Sequence, residues 1–325
     1  MKKKSFSYAK WGYIFSIPFA VAFLAFMLYP IVYTIVIGFT NMKGMIPPPL
    51  QLLSDPFENF KIVLADPLFK KSLVNTFVMW ILNFIPQILL ALLLAAWFTN
   101  ERMKLKGKGF FKVVFYMPNI ITQATVAILF NALFMFPKGP VNDLLISLGI
   151  RSEAYNFGTD GMAAKLTVAF IQFWMWYGYT MIVLISGILG ISPDIFEAAD
   201  IDGANGFQRF IYVTLPNLKT IMLFTLVTSL IGGLTMYDIP KLYLDGGPND
   251  ATRTASVYIQ KQAFSGSYMY NTAAAASMIM FLIIGVLAAL LFFLMRDKEE
   301  AALHKRIRQQ EKAFKKKMKE QKGGM

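Results

Sequence analysis

Six long apolar stretches, divided by short polar ones, set the frame of this 325-residue chain. They lie near residues 11–39, 73–99, 113–136, 164–190, 216–238 and 273–295. Each can supply the roughly 20 helical residues that a bilayer core demands. The pattern predicts an all-α integral membrane protein with about six transmembrane helices. Pro18 and Pro30 should kink the first stretch, because proline lacks an N–H and its ring crowds the carbonyl four residues back. That stretch follows Lys2, Lys3 and Lys4, as a signal peptide would, but its apolar run is too long, so we read an uncleaved first span. The segments 40–72, 137–163 and 239–272 carry "IPPPL", "DPFENF", "PKGP" and "DGGPND". Their proline and glycine predict turns rather than another folded domain.

One polar interlude is different. Residues 197–216 read "EAADIDGANGFQRFIYVTLP" and sit between spans four and five. Ser192, Pro193 and Asp194 have the chemistry of a helix start: a capping hydroxyl, a proline at the first helical position and an acid in the first turn. Ile195, Phe196, Ala198, Ala199 and Ile201 then give a short helix with apolar faces. Gly203 follows Asp202 where a left-handed residue would end it. Phe207, Phe210 and Ile211 recur at i, i+3 and i+4 and predict a second short helix. Leu215-Pro216 opens span five. Such a pair exposes apolar surface that needs a cover, either lipid or a partner protein. The acids Asp194, Glu197, Asp200 and Asp202 favour the partner, since an anionic leaflet repels them.

Charge fixes the expected sidedness. With the N-terminus inside, segments 2–10, 102–112, 191–215 with Lys219, and 296–322 hold 22 of the 32 Lys and Arg residues. The outward segments hold nine, and Lys165 sits at a helix edge. This bias places both termini and the 197–216 interlude in the cytoplasm of a cell-membrane protein. The same clustering beside apolar runs argues against nucleic-acid binding, despite a net charge of +13. The chain divides into a segment 1–10, a transmembrane domain 11–295 with the loop 191–215, and a basic tail 296–325 whose default role is to anchor topology.

The interlude resembles the EAA motif of permeases from binding-protein-dependent ABC importers, E-A-A-x-x-D-G-A followed by I-x-L-P. Glu197, Ala198, Ala199, Asp202, Gly203, Ala204, Phe210, Leu215 and Pro216 fit it, and Val213 stands where isoleucine is common. "LYPIVYTIVIGFTN", "FKIVLADPLFKKSLVNTF", "FFKVVFYMPNIITQATVAILFNALF" and "YLDGGPNDATRTASVYIQKQAF" are similar to stretches of the carbohydrate subgroup, the MalF-like sugar permeases. The resemblance implies a MetI-like permease fold with a cytoplasmic coupling helix. It also implies that Glu197, Ala198, Ala199, Asp202, Gly203, Phe207, Phe210, Leu215 and Pro216 dock an ATPase subunit. The additional N-terminal spans and large periplasmic insertion of the longest members have no counterpart here.

The resemblance further implies a central sugar path on spans four and five. Gln172, Trp176 and Tyr179 share one stripe of span four. Ser229, Gly233 and Met236 share one of span five, with Tyr237 and Asp238 beyond. Aromatic rings stack on sugar C–H faces and amides meet hydroxyls; the same residues also suit helix packing and the membrane interface. Asn83, Gln87, Asn119, Gln123 and Asn131 fit hydrogen bonds between helices better than a path.

The remaining chemistry is thin. No phosphate loop is present, because "KGKGFF" lacks the spacing and the terminal Lys-Ser/Thr. ATP and Mg would therefore bind partner ATPase subunits, with no cofactor or metal site on this chain. Cysteine is absent, and the one histidine, His304, lies in the tail. The spans lack the carboxylate pairs or His that an enzyme or proton-coupled carrier would bury. The expected assembly comprises a second homologous permease, two ABC ATPase subunits, an extracytoplasmic solute-binding protein, lipid and sugar. The alternative is a stand-alone facilitator or ion-coupled secondary transporter.

Overall fold

The computed structural model describes residues 9–100, 106–266 and 268–295. The expected terminal segment 1–10 falls mostly outside them, and the basic tail 296–325 does so entirely. Among the described residues the chain is helical, with one isolated bridge between Thr40 and Leu52.

The first span is α1 (Ala9–Phe23), a five-residue π-turn (Leu24–Leu28) and α2 (Tyr29–Ile37). Pro18 leaves α1 unbroken. Pro30 has a visible effect: the carbonyl it would crowd, that of Phe26, lies within the widened turn. After α3 (Glu58–Ala65) comes α4 (Pro67–Thr99), which begins six residues before the expected 73. Asp66 sets that start. Its Oδ1 accepts from the Leu68 N–H at 2.8 Å, and Pro67 occupies the first helical position, where a missing N–H costs nothing.

Span three differs from expectation. The run 113–136 is two helices, α5 (Lys108–Ile120) and α6 (Gln123–Leu133). Ile121 adopts extended backbone (φ −75°, ψ 138°), and Thr122 caps a new helix by accepting from the Thr125 N–H. A Thr in capping position outweighed the continuous apolarity on which the single-span expectation rested. Next come α7 (Pro140–Ser147) and α8 (Gly161–Leu189). Asp160 opens α8 by accepting from Met162 and Ala163 N–H groups at 2.7 and 2.9 Å. Those bonds hold its carboxyl below the usual aspartate range.

The interlude holds α9 (Pro193–Ile201), α10 (Gly206–Arg209), a second π-turn (Phe210–Thr214) and α11 (Leu215–Asn217). Span five then starts at Lys219, three residues later than expected, because Pro216 belongs to the preceding turn. It continues as α12 (Lys219–Leu234) and, after a break at 235–237, as α13 (Asp238–Leu244). The last helices are α14 (Ala255–Phe264) and α15 (Tyr270–Met295). Segments read as turns thus contain α3, α7 and α14, short helices that a proline-and-glycine reading passes over. Among the described residues, five helices are long and apolar enough to cross a membrane, or six if α5 and α6 count as one broken span.

The described residues form two compact units. The first draws on residues 9–82, 122–172 and 233–284 among those described. Its core packs Val63, Phe69, Tyr258, Ala275 and Ala276 together. Buried polar groups tie its elements. The Asn59 amide donates to the Gly38 and Thr40 carbonyls and accepts from Asn271, and Asn131 donates to the Tyr243 carbonyl. Asp245 follows α13 in a left-handed conformation, accepting from Lys241 and Lys261 at 2.7 and 2.8 Å. Partial burial pushes its carboxyl up, but the two lysines outweigh this and hold it below its ordinary value.

The second unit draws on residues 83–121, 173–232 and 285–295 among those described. Here α5 and α8 touch backbone to backbone: a Cβ on Gly178 would overlap the Phe115 carbonyl. Asn119 donates to the Met175 carbonyl at 3.3 Å beside that crossing. Gln87 reaches Thr180 Oγ1 at 2.7 Å. Asn119, Asn131 and Gln87 therefore serve as interhelical ties, the role the sequence favoured for them.

Candidate functional site

The segment from Ser192 to Leu218 is the most built feature of the second unit. Its first helix, α9, starts where Ser192 and Pro193 predict, yet the Ser192 hydroxyl makes no capping bond to the backbone and instead lies 3.4 Å from Asp194 Oδ2. The far end is closed by geometry. The Gly203 N–H bonds the Asp200 carbonyl at 3.1 Å, and the Ala204 N–H bonds the Ala199 carbonyl at 2.9 Å. This pair of bonds is a Schellman motif, and it requires the left-handed residue that Gly203 supplies at φ +77°.

The second arm is capped as firmly. The Asn205 side chain accepts from the Gln208 N–H, and the Gln208 side chain accepts from the Asn205 N–H, both at 2.9 Å. A four-residue helix has almost no intrinsic stability, so this capping box decides whether it forms. Asn205→Ala is expected to cost about 1 kcal/mol locally. Hydrogen exchange of the purified protein should show faster exchange at the Phe207 and Gln208 amides, with the Gly203 and Ala204 amides unchanged. Equal exchange in mutant and wild type would refute the cap's role. Beyond α10 the chain widens into the π-turn, closed by a Leu215 N–H to Phe210 carbonyl bond.

Arg209 joins the two arms. Its Nη1 lies 3.2 and 3.3 Å from the two carboxylate oxygens of Asp200, and its guanidinium sits 5.2 Å from the Phe196 ring centre. Behind the segment is a cleft of about 350 Å³, lined by Trp97, Asn100, Leu189, Phe196, Arg209 and Phe210 among others. Outside the cleft lining the segment carries bulky apolar side chains in the open: Ile201 is 87% exposed, Phe207 75% and Tyr212 76%.

Of the docking set, Glu197, Ala198, Asp202, Gly203, Phe207 and Pro216 are exposed. Ala199 is turned inward and buried, while Phe210 and Leu215 are half-buried. Sequence reasoning passed over Arg209, Gln208 and the exposed Ile201 and Tyr212 as members of this site. Asn205 and Gln208 carry a capping-box spacing that was there to be read. Arg209 has no such local signal, because nine residues and a turn separate it from Asp200.

The expected path residues divide between the units. In the second, Trp176 and Tyr179 meet edge to face with ring centres 5.9 Å apart, and Trp176 is 36% exposed. Ser229 is half-buried on α12. In the first unit Gln172 is buried. Gly233 is a close-contact glycine, since a Cβ there would overlap the Trp80 indole. Met236 is buried, and its carbonyl accepts from Thr254 Oγ1 at 3.0 Å. Tyr237 precedes α13, and Asp238 lies exposed in its first turn. Among the described residues, no group of three or more His, Cys, Asp or Glu side chains gathers as a metal site.

Comparison with known proteins agrees with this architecture. Residues 62–305 match the family described as binding-protein-dependent transport system inner membrane component. The lactose transport system permease protein LacF of Rhizobium radiobacter is 33% identical over 78% of this chain and 83% of its own length. The multiple sugar-binding transport system permease protein MsmF of Streptococcus mutans is 29% identical over 82% and 89%. A chain in the crystal structure of a bacterial ABC transporter that imports the acidic polysaccharide alginate superposes with a TM-score of 0.73. It shares 23% identity, over 87% of this chain and 94% of that one. Family match, relatives and fold converge on one conclusion: this multi-pass membrane protein belongs to the permeases of binding-protein-dependent ABC transport systems.

Proposed function

We propose that this chain is a permease subunit of an ATP-driven sugar importer and receives motion through the 192–218 segment. One observation carries the docking role: Ile201, Phe207 and Tyr212 stand almost bare on a rigidly capped segment that also exposes Glu197 and Asp202. Exposed aromatic and aliphatic side chains among acids suit a protein partner better than an anionic lipid surface. The distribution of 22 of 32 basic residues supports placing this segment and both termini in the cytoplasm. The partners in this reading are two ABC ATPase subunits, which hold ATP and Mg, a second homologous permease and an extracytoplasmic solute-binding protein.

The sugar assignment draws on relatives named for lactose, arabinooligosaccharides and multiple sugars. It also suits the Trp176–Tyr179 pair, whose faces can stack on pyranose C–H surfaces. On α12 of the same unit, half-buried Ser229 offers a hydroxyl that suits a sugar partner.

The test is purification in mild detergent with the ATPase subunits co-expressed, followed by uptake assays on a sugar panel. Wild-type chain should retain the ATPase, and Glu197→Lys, which reverses charge on the exposed face, should lose most of it at unchanged membrane content. A chain that transports alone, without nucleotide, would overturn the proposal.

A further inference from the structure

We infer that Arg209 is a positioning residue that locks the two arms of the coupling segment into one rigid body, so that force applied to α9 reaches span five. The inference rests on the coupling role proposed above and adds the part that transmits it. The caps at Gly203 and Asn205 fix each arm by itself. The hinge between them is short, with Ala204 alone separating the left-handed residue from the Asn205 cap. Neither cap forms a bond from one arm to the other: the Schellman bonds close back on α9, and the capping box closes on α10.

Arg209 does cross. Its Nη1 is shared between both oxygens of Asp200, in the last turn of α9, while its guanidinium carbon lies over the Phe196 ring one turn earlier. Three features favour rigidity over a loose surface pair. The contact is a charge-assisted one in which a single guanidinium nitrogen is shared between two carboxylate oxygens. The arginine side chain is only 16% exposed, against 36% for its partner, so water competes poorly for it. The stacked ring removes a further freedom of the guanidinium. Arg209 also ends α10 and leads directly into the π-turn and α11, so a push on the first arm is delivered next to the start of α12. Without this tie the elbow would flex at Ala204, and the first arm would follow its partner without moving the membrane helix.

Two modes of failure are separable. Loss of docking removes the ATPase; loss of the lock leaves it bound and working to no effect. The experiment reconstitutes the full transporter with its binding protein in liposomes and measures three quantities for each variant: ATPase retained, ATP hydrolysed, and sugar accumulated per ATP. Arg209→Gln should keep the ATPase bound and active while sugar per ATP falls several-fold. Arg209→Lys, which keeps charge but loses the planar guanidinium over Phe196, should fall between. The exchange Asp200→Arg with Arg209→Asp should restore the ratio toward wild type, because an arginine at 200 lies one helical turn from Phe196 and can regain both contacts.

An unchanged ratio in Arg209→Gln overturns the lock. So does an exchange variant that assembles without recovering the ratio. Should Arg209→Gln fail to assemble, the exchange variant decides: recovery of assembly and ratio supports the lock, and continued failure overturns it. Absence of the ATPase from the wild-type preparation would instead defeat the coupling reading itself.

Discussion

Gly203→Pro is expected to abolish uptake and its coupled ATP hydrolysis while leaving the chain in the membrane. Three physical effects act together. Proline holds φ near about −65°, so the left-handed backbone at φ +77° is forbidden to it. It removes the N–H that bonds the Asp200 carbonyl, one of the two bonds closing α9. It also crowds Asp202, which has helical backbone (φ −70°, ψ 0°) that a residue before proline avoids. Gly203→Ala keeps the N–H and pays only the left-handed penalty, about 1–2 kcal/mol, so it should transport at a reduced rate. Membrane content by immunoblot and sugar uptake in everted or reconstituted vesicles read the two effects separately. Full transport by the proline variant would remove the segment from the mechanism.

Gly178→Val should prevent the second unit from folding. The clash is with the Phe115 carbonyl, a backbone atom that cannot swing aside as a side chain can. Overpacking typically costs about 1–3 kcal/mol when neighbours can shift, and here the whole of α5 must move. That movement would also part Asn119 from the Met175 carbonyl. We expect loss of the monodisperse peak on detergent size-exclusion. Gly285→Ala, where an added Cβ meets nothing within 4 Å, should elute like wild type. A normal profile for the valine variant would show that the crossing is loose.

The sequence disclosed those features whose cause is local. Span positions follow from runs of apolar residues, and the α9 end follows from one glycine after a short periodic stretch. Asp66-Pro67 at the start of α4 is also a local signal, overlooked because hydropathy rises only later. The break at Ile121 and Thr122 was hidden by apolar neighbours on both sides, so composition outvoted a cap. Features that depend on contact between distant residues had no trace in the pattern. Asp200 and Arg209 look like ordinary surface charges until a Schellman turn folds one over the other. Met236 and Gly233 sat on one stripe of the pattern, which gave no sign that the Met236 carbonyl accepts from Thr254 or that Gly233 lies against Trp80. Trp176 and Tyr179, three residues apart on one helix, meet through local helix geometry alone.

The π-turn at Phe210–Thr214 carries one residue more than an α-helical turn would. In a helix each residue advances the azimuth by about 100°. Everything upstream of that turn is therefore clocked by the same angle relative to α12. Chain length here encodes a bearing: a relative lacking one residue between 210 and 214 would present Ile201 and Phe207 to a different quarter, whatever its residue-by-residue similarity.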